Sequence, residues 1–259
     1  MSGSSLSSRF LRKGAFIDET RVVLSHWDLA VTVQENLDRI LADNPLGARS
    51  AGWLKEVRVT LLGRLRKLPP QGLKPLVMLA QTTCAKDVWV ACLHWHLARQ
   101  DTLYHDFVTG WLFSLFSEGV YRMRSEDAQA FVRERILALR GDDRPLSDYG
   151  TVRAARDLFR MAGDFGLVEG SAQKEFASYH LPQESFLYLL HAMVETGLNA
   201  RRLIDSADWH MFLLDSSEVE RELLRLHQYR KLHYEVAGSL VQLSLPCGSA
   251  AEYAKGLSS

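Results

Sequence analysis

Apolar residues recur at intervals of three and four along the first 140 residues of the chain, and no stretch of that part alternates with period two. This spacing predicts amphipathic helices that bury one side. Asn44-Pro45 and the Pro-Pro-Gln-Gly run at 69–72 mark helix ends. Helices are expected over residues 16–43, with a break near Ser25, and over 50–68, 73–82, 85–99, 101–117 and 126–140. The sequence therefore predicts a helical N-terminal domain, residues 1–140.

The pattern changes at the polar turn residues 141–145, which predict a domain boundary. A predicted helix at 150–163 is followed by an apolar stretch at 164–168, a polar turn and an alternating stretch at 176–181. Later, predicted helices at 183–196, 199–206 and 216–229 are followed by strands at 232–236 and 240–245. A helix followed by a two-stranded ribbon is the plan of winged helix-turn-helix modules. The predicted class is mainly α, with winged-helix-like modules at 141–182 and 183–247 and a tail at 248–259.

The charge balance gives no general signature of nucleic-acid binding. Lys and Arg together number 31, as do Asp and Glu, so the formal net charge is zero. Basic surface must therefore come from local arrangement. Residues 1–75 hold 12 basic and 7 acidic residues, a surplus of +5, so the remainder of the chain carries −5. Arg, which suits bidentate phosphate contacts, outnumbers Lys by 23 to 8.

The cysteines and the apolar runs predict a cytoplasmic protein without a membrane span. Cys84, Cys92 and Cys247 are odd in number and form no close pair, which favours reduced thiols. No apolar segment of a secretory signal follows the Ser-rich N-terminus. The uncharged apolar runs at 88–98 and 107–117 are shorter than the roughly 20 residues that a spanning helix needs.

A stripe of arginines on the helix at 150–163 is the first candidate for nucleic-acid contact. At 100° per residue, Arg153, Arg156 and Arg160 fall within about 60°, opposite the apolar side. Such a stripe suits successive phosphates, and Lys174 lies in the predicted wing, where a neighbouring phosphate is expected. The alternative is an ordinary solvated helix face, since Asp157 lies among the arginines.

A second positive face is predicted on the helix at 50–68. Lys55, Arg58 and Arg66 lie within about 80° around its axis. The basic residues near the N-terminus, Arg9, Arg12 and Lys13, are expected to add to this face. The alternative is a charged solvent face that binds nothing.

The corresponding helix of the second module, 216–229, carries a different balance. Three carboxylates, Glu218, Glu220 and Glu222, stand beside Arg221 and Arg225. Such a helix repels a polyanion as much as it attracts one. This module is therefore expected to be structural or to dock a protein.

The remaining motifs do not support catalysis, a metal or another cofactor. Cys92 and His96 share a helical face, with His94 and His105 near them, but the segment 88–98 is so apolar that a packed core helix explains it better. The Asp-Phe-Gly triplet at 164–166 has no accompanying kinase motif, and no hydrolase, zinc-protease or nucleotide-binding signature occurs. The protein is predicted not to be an enzyme.

Four segments resemble the BrxA family of bacterial BREX phage-defence systems. They are SRFLRKGAFIDET at 8–20, LLGRLRKL at 61–68, SADWHMFLLD at 206–215 and LHYEV at 232–236. The likeness extends over nearly the whole chain, and the front half is also similar to NusB-type helical antitermination proteins. The motifs are patterns of small, apolar and basic residues without a catalytic signature, so no site residue is transferred.

This resemblance implies a cytoplasmic, double-stranded-DNA-binding component that works beside a methyltransferase, an ATPase and other BREX subunits. Together with the local charges it favours a non-enzymatic DNA binder that uses phosphate contacts and has weak sequence specificity. A helical protein–protein scaffold in the same complex and an RNA-binding antitermination-like factor remain the alternatives.

Overall fold

The computed structural model describes residues 13–140, 145–238 and 240–257 of the chain. Its α-helices are α1 Ile17–Ser25, α2 Val33–Ala42, α3 Ala51–Leu65, α4 Pro70–Ala80, α5 Lys86–Ala98, α6 Thr102–Asp106, α7 Phe113–Ser117, α8 Gln129–Arg140, α9 Asp148–Asp164, α10 Gln183–Val194, α11 Ala200–Ile204, α12 Ser216–Gln228 and α13 Ala250–Gly256. A π-helical turn, Phe107–Leu112, joins α6 to α7, and a 3-10 helix, Ala207–Phe212, follows α11. The strands are β1 Arg122–Met123, β2 Val168–Glu169, β3 Lys174–Phe176, β4 His233–Ala237 and β5 Leu240–Ser244. Helices account for 61% of the chain, which confirms the predicted class, mainly α.

The helix predicted over 16–43 is two helices, and the break has a clear cause. Thr32 caps α2, since its hydroxyl accepts from the backbone of Glu35 while the Glu35 carboxylate accepts from the backbone of Thr32. The Asn36 side chain bonds both the N–H and the carbonyl of Asp28, which holds the connection between α1 and α2. The other predicted helices begin and end within three residues of the observed ones. Pro70, predicted to terminate α3, also begins α4, where a missing N–H costs nothing.

A three-stranded antiparallel sheet lies in the middle of the chain, with the strand order β1-β3-β2. The elements that build it follow in the order α6–α7, β1, α8, α9, β2, β3. The prediction of no strand before residue 140 is wrong for the two-residue strand β1, which pairs with β3 across the predicted boundary at 141. The second wing strand was also misplaced, because the tight turn after β2 sets Val168 opposite Phe176 and puts β3 at 174–176 instead of 176–181.

The last third of the chain contains α10, α11, α12 and a longer hairpin. Strands β4 and β5 pair antiparallel from His233↔Ser244 to Ala237↔Leu240. Beyond the hairpin, the residues predicted as a tail include α13, which packs on α4 and α10. Ala250 and Ala254 of α13 are fully buried.

Helix α5 lies at the centre of the core. Almost every residue from Val88 to Ala98 is buried, as the apolar run predicts. Each of its two histidines has a tyrosine partner, since His94 Nε2 lies 3.0 Å from the Tyr104 hydroxyl and His96 Nε2 lies 2.8 Å from the Tyr188 hydroxyl. Burial lowers the pKa of both histidines to about 3, so both are neutral core residues. Among the described residues, no group of three or more His, Cys, Asp or Glu could hold a metal ion.

Candidate nucleic-acid interface

Helix α9 is fixed by a cap at its start and by aromatic packing along its length. The Ser147 hydroxyl accepts from the backbone N–H of Gly150 at 3.1 Å. Phe159 is buried against Phe107 of the π-helical turn, with ring centroids 5.3 Å apart. Because this side packs, the opposite side of α9 is exposed to solvent. Arg153, Arg156 and Arg160 all lie on that exposed side.

The chain leaves α9 through a glycine and then makes a turn that only glycine fits. Gly166 has φ 75°, and the N–H of Leu167 bonds the carbonyl of Ala162 in a Schellman motif, as expected for a glycine at this position. Gly170, between β2 and β3, has φ 92°, and a Cβ there would lie 2.3 Å from the carbonyl oxygen of Gln173. The wing turn, residues 170–173, therefore has a defined shape, and it places Lys174 at the start of β3.

Helix α9, the wing turn and the turn at residues 124–126 enclose a cleft of about 900 Å³. Its lining is rich in cations but also contains carboxylates. Four cationic side chains line it: Arg124, Arg156, Arg160 and Lys174. Two carboxylates, Glu126 and Asp164, line it as well. We call this the basic cleft. The excess of positive charge on a concave surface suits a polyanion, because a concave wall of one sign concentrates the electrostatic field.

The predicted stripe of arginines is partly compensated by its own helix. Asp157 Oδ1 lies 2.9 Å from Arg160 Nη2, and Asp157 Oδ2 lies 3.9 Å from Arg153 Nε. Arg153 does not line the basic cleft, whereas Arg156 and Arg160 do. Both arginines are 44% exposed whereas the Asp157 side chain is only 14% exposed, so a phosphate must compete with this carboxylate for them.

The second predicted face does not join the cleft. Arg58 Nε donates to Asp38 Oδ1 at 2.6 Å, and Arg66 donates to Gln34 Oε1 at 2.7 Å, so both side chains are turned toward α2. Lys55 lies on α3 and is exposed to solvent. None of these three residues lines the basic cleft. Of the basic residues expected to extend this face, Arg9 and Arg12 lie outside the described residues, and Lys13 forms an ion pair with Glu56 of α3.

Arg124 is the cleft residue that the sequence analysis missed. It follows the short strand β1, and its backbone N–H bonds the carboxylate of Asp127 at 2.7 Å in a local turn. No periodic pattern marks this position. Two arginines on either side of Met123, Arg122 and Arg124, were the available signal, but only the pairing of β1 with β3 brings Arg124 beside the wing.

The second module presents paired charges and exposed apolar side chains. Arg225 and Glu222 are 2.5 Å apart, and Arg221 lies 3.7 Å from Glu218. At the end of the hairpin, Val236 is 52% exposed and Leu240 is 68% exposed. This surface is thus much less positive than the basic cleft.

The described helices include none that is both long and apolar enough to cross a bilayer. The fold and the cleft define a mainly α protein with a small antiparallel sheet and a basic concave surface. The protein-family model BrxA matches residues 5–192, and the chain therefore belongs to the BrxA family. Membership of this family indicates a component of a BREX phage-defence system. No curated protein matches the sequence.

Proposed function

We propose that this protein is a non-enzymatic, double-stranded-DNA-binding component of a BREX system and that it holds the duplex through the basic cleft. The observation that carries the proposal is the convergence of Arg124, Arg156, Arg160 and Lys174 on one concave surface of a chain with zero net charge. Such a surface favours backbone phosphates. Guanidinium groups that meet phosphates position a duplex without reading its sequence, so the specificity is weak.

We further propose that residues 102–176 act as a winged helix-turn-helix. The element order helix, strand, helix, helix, strand, strand and the strand order β1-β3-β2 support this assignment. In such a unit α9 is the recognition helix and the turn at 170–173 is the wing. Arg156 and Arg160 then meet the duplex from the helix, Lys174 meets it from the wing, and Arg153 contributes from the first half of α9.

The salt dependence of duplex binding tests the proposal. If each of its four cations neutralises one phosphate, the basic cleft alone contributes about −4 to the slope of the logarithm of the binding constant against the logarithm of salt concentration. Fluorescence anisotropy of a labelled duplex over a salt series measures this slope. A slope near zero for the unmodified protein would overturn the proposal.

A matched pair of variants localises the contact. In Arg156→Ala/Arg160→Ala/Lys174→Ala, three cleft cations are lost, and the slope should become shallower by about 3. In Arg202→Ala/Arg221→Ala/Lys231→Ala, the same charge is removed from exposed positions of the second module. This control should keep most of the slope. Equal slopes for the two variants would show that general charge, and not the cleft, binds DNA.

The face formed by Lys55, Arg58 and Arg66 is proposed as a smaller second contribution. Arg58 and Arg66 already have partners on α2, so a phosphate must compete with Asp38 and Gln34. Alanine at all three positions should change the slope by less than the cleft variant does. A larger change would move the main contact to this face.

A second candidate function is docking of another BREX subunit, such as the methyltransferase or the ATPase, by the hairpin of the second module. Val236 and Leu240 favour it, since both are exposed at the end of the hairpin, one on each face of the ribbon, where each offers a partner an apolar contact. Co-purification with partner subunits after nuclease treatment, lost in Val236→Ser/Leu240→Ser, would support docking.

Competition of RNA against duplex DNA distinguishes an antitermination-like factor, because only that function requires a preference for RNA.

A cytoplasmic location is proposed with the same function. Cys84, Cys92 and Cys247 are all free thiols, which is typical of a reducing compartment.

A further inference from the structure

Tyr149 is the most exposed large apolar side chain among the described residues. It lies on the first turn of α9 and is 74% exposed. Two other exposed tyrosines are each covered by a cation, since Arg122 lies 5.5 Å from the centre of the Tyr121 ring and Arg225 lies 5.6 Å from that of Tyr229. No described side chain covers the Tyr149 ring in this way. The ring is therefore open to a ligand that approaches α9.

Tyr149 lies in line with the arginines of α9. At 100° per residue, Tyr149 and the three arginines of the stripe fall within about 60° around the helix axis, and all four are exposed. With a rise of 1.5 Å per residue, Tyr149 lies about 10 Å along the axis from Arg156. The major groove of B-DNA is about 12 Å wide. A helix that meets phosphates at the groove edge with Arg156 and Arg160 therefore places Tyr149 within the groove.

The first turn of α9 has no net positive charge to offer a phosphate. Asp148 directly precedes Tyr149, and its Oδ1 lies 3.2 Å from Nη2 of Arg133 on α8. The residues of α9 that line the basic cleft begin only at Arg156, two turns later. The positive charge of this helix is thus displaced from its first turn. This turn suits the base edges at the floor of the groove better than it suits the phosphate backbone.

We propose that Tyr149 contacts thymine methyl groups in the major groove and gives the protein a modest preference for thymine. The inference rests on the proposed function, in which α9 is the recognition helix, because the N-terminal residues of such a helix contact base edges. Among the four bases, only thymine presents a methyl group in the major groove, and apolar side chains contact it there. The contact involves no charge, so it is separable from the phosphate contacts of the basic cleft.

Replacement of thymine by uracil in the duplex tests the contact. This change removes only the methyl group and keeps the charge and the hydrogen-bonding groups of the base. Fluorescence anisotropy compares a labelled duplex of alternating A·T pairs with the same duplex that contains uracil. The unmodified protein should bind the thymine duplex about fourfold more tightly, the value for burial of one methyl group. The salt slope should be the same for both duplexes, since the same phosphates are neutralised.

Three variants assign this preference to the Tyr149 ring. Tyr149→Ala should bind the two duplexes equally, and its salt slope should stay that of the unmodified protein, because no cation is lost. Tyr149→Phe should keep the preference, because the ring and not the hydroxyl makes the contact. The matched control, Tyr229→Ala, removes a tyrosine of the second module that is 64% exposed and should keep the preference as well.

The outcomes separate this contact from the proposed function. If the unmodified protein binds both duplexes equally but keeps the salt slope of the basic cleft, the Tyr149 contact is overturned and the cleft remains. A preference that persists in Tyr149→Ala, or that is lost in Tyr149→Phe, overturns the contact as well. If the unmodified protein binds neither duplex, both proposals are overturned.

Discussion

Asp208 illustrates how much of this fold depends on one charged side chain. Its carboxylate accepts from Trp95 Nε1 at 2.8 Å, from Arg99 NH1 at 2.7 Å and from His105 Nε2 at 2.9 Å. Burial alone would raise the pKa of Asp208, but the hydrogen bond from His105 and the charge of Arg99 lower it. The 3-10 helix that carries Asp208 is thereby joined to α5 and α6.

Replacement of Asp208 by Asn should destabilise the protein by about 2–3 kcal/mol, because His105 and Arg99 would lose their shared partner in a largely buried site. This loss of stability is smaller than for a fully buried ion pair, since the Arg99 side chain is 37% exposed. Urea denaturation measures the loss. Asp205→Asn, at an exposed partner of Arg201, is the matched control and should cause no measurable change.

His105 predicts a pH dependence of stability. Burial opposes its charged form, but hydrogen bonds to Asp106 and Asp208 raise its pKa to about 9. A folded pKa above the unfolded value of about 6.5 contributes stability that is fully present below pH 6.5 and is lost as the pH rises through 9. Unfolding free energy should therefore fall by about 3 kcal/mol over this range. In His105→Gln the curve should be flatter over the same range; an unchanged slope would remove His105 as its source.

The sequence shows which residues are charged but not which charged groups contact one another. Arg64 belonged to the basic stretch of α3, yet the structure buries it on the carbonyls of Gly14 and Ala15, which are about 50 residues away in sequence. The exposed arginines of α9 were predictable because helical periodicity is local. Arg124 was not, because only sheet pairing brings it to the cleft.

At the scale of elements, turn chemistry explains both what was predicted and what was missed around α9. Gly166, in the left-handed region, ends the helix because glycine adopts a positive φ without strain. The strands β2 and β3 have only two and three residues, so periodicity carries almost no signal for them. Their register follows from the shape of the turn at Gly170 instead.

Two glycine substitutions separate strain from steric clash. Gly166→Ala meets no atom within 4 Å and should cost about 1 kcal/mol for its positive φ alone. Gly170→Ala adds the close contact with the carbonyl of Gln173, so it should cost more and should distort the wing. Lys174 Nζ donates to the carbonyl of Gly170, and we therefore expect weaker duplex binding for Gly170→Ala only. Urea denaturation measures the stability of both variants, and fluorescence anisotropy measures their duplex binding. Equal losses for Gly166→Ala and Gly170→Ala would show that the close contact at position 170 is relieved without moving the wing.

At the scale of the whole molecule, the core is one cluster that runs from Ala15 to Ala254. Strand pairing crosses residue 141, and the hydrogen bonds of Asp208 cross residue 183. The predicted boundaries were drawn from changes of local pattern, and long-range contacts of this kind leave no mark in local pattern. The domain boundaries at 141 and 183 stay predictions. The shared core favours unfolding of the described residues as one unit.

The C-terminal residues give the sharpest test of that cooperativity. Helix α13 buries Ala250 and Ala254, the backbone N–H of Ala250 donates to Glu195 at 2.7 Å, and the Tyr253 ring stacks on His191 with centroids 5.0 Å apart. Deletion of residues 248–259 exposes the apolar surfaces of α4 and α10 and should cost about 3 kcal/mol or more. Deletion of 258–259 alone is the control and should have little effect.

Thermal unfolding followed by tryptophan fluorescence should show a single transition at a lower temperature for the longer deletion, because α4 and α10 belong to the same core. A midpoint equal to that of the control would mean that these residues are a dispensable tail, and two separate transitions would mean that the halves of the core unfold independently.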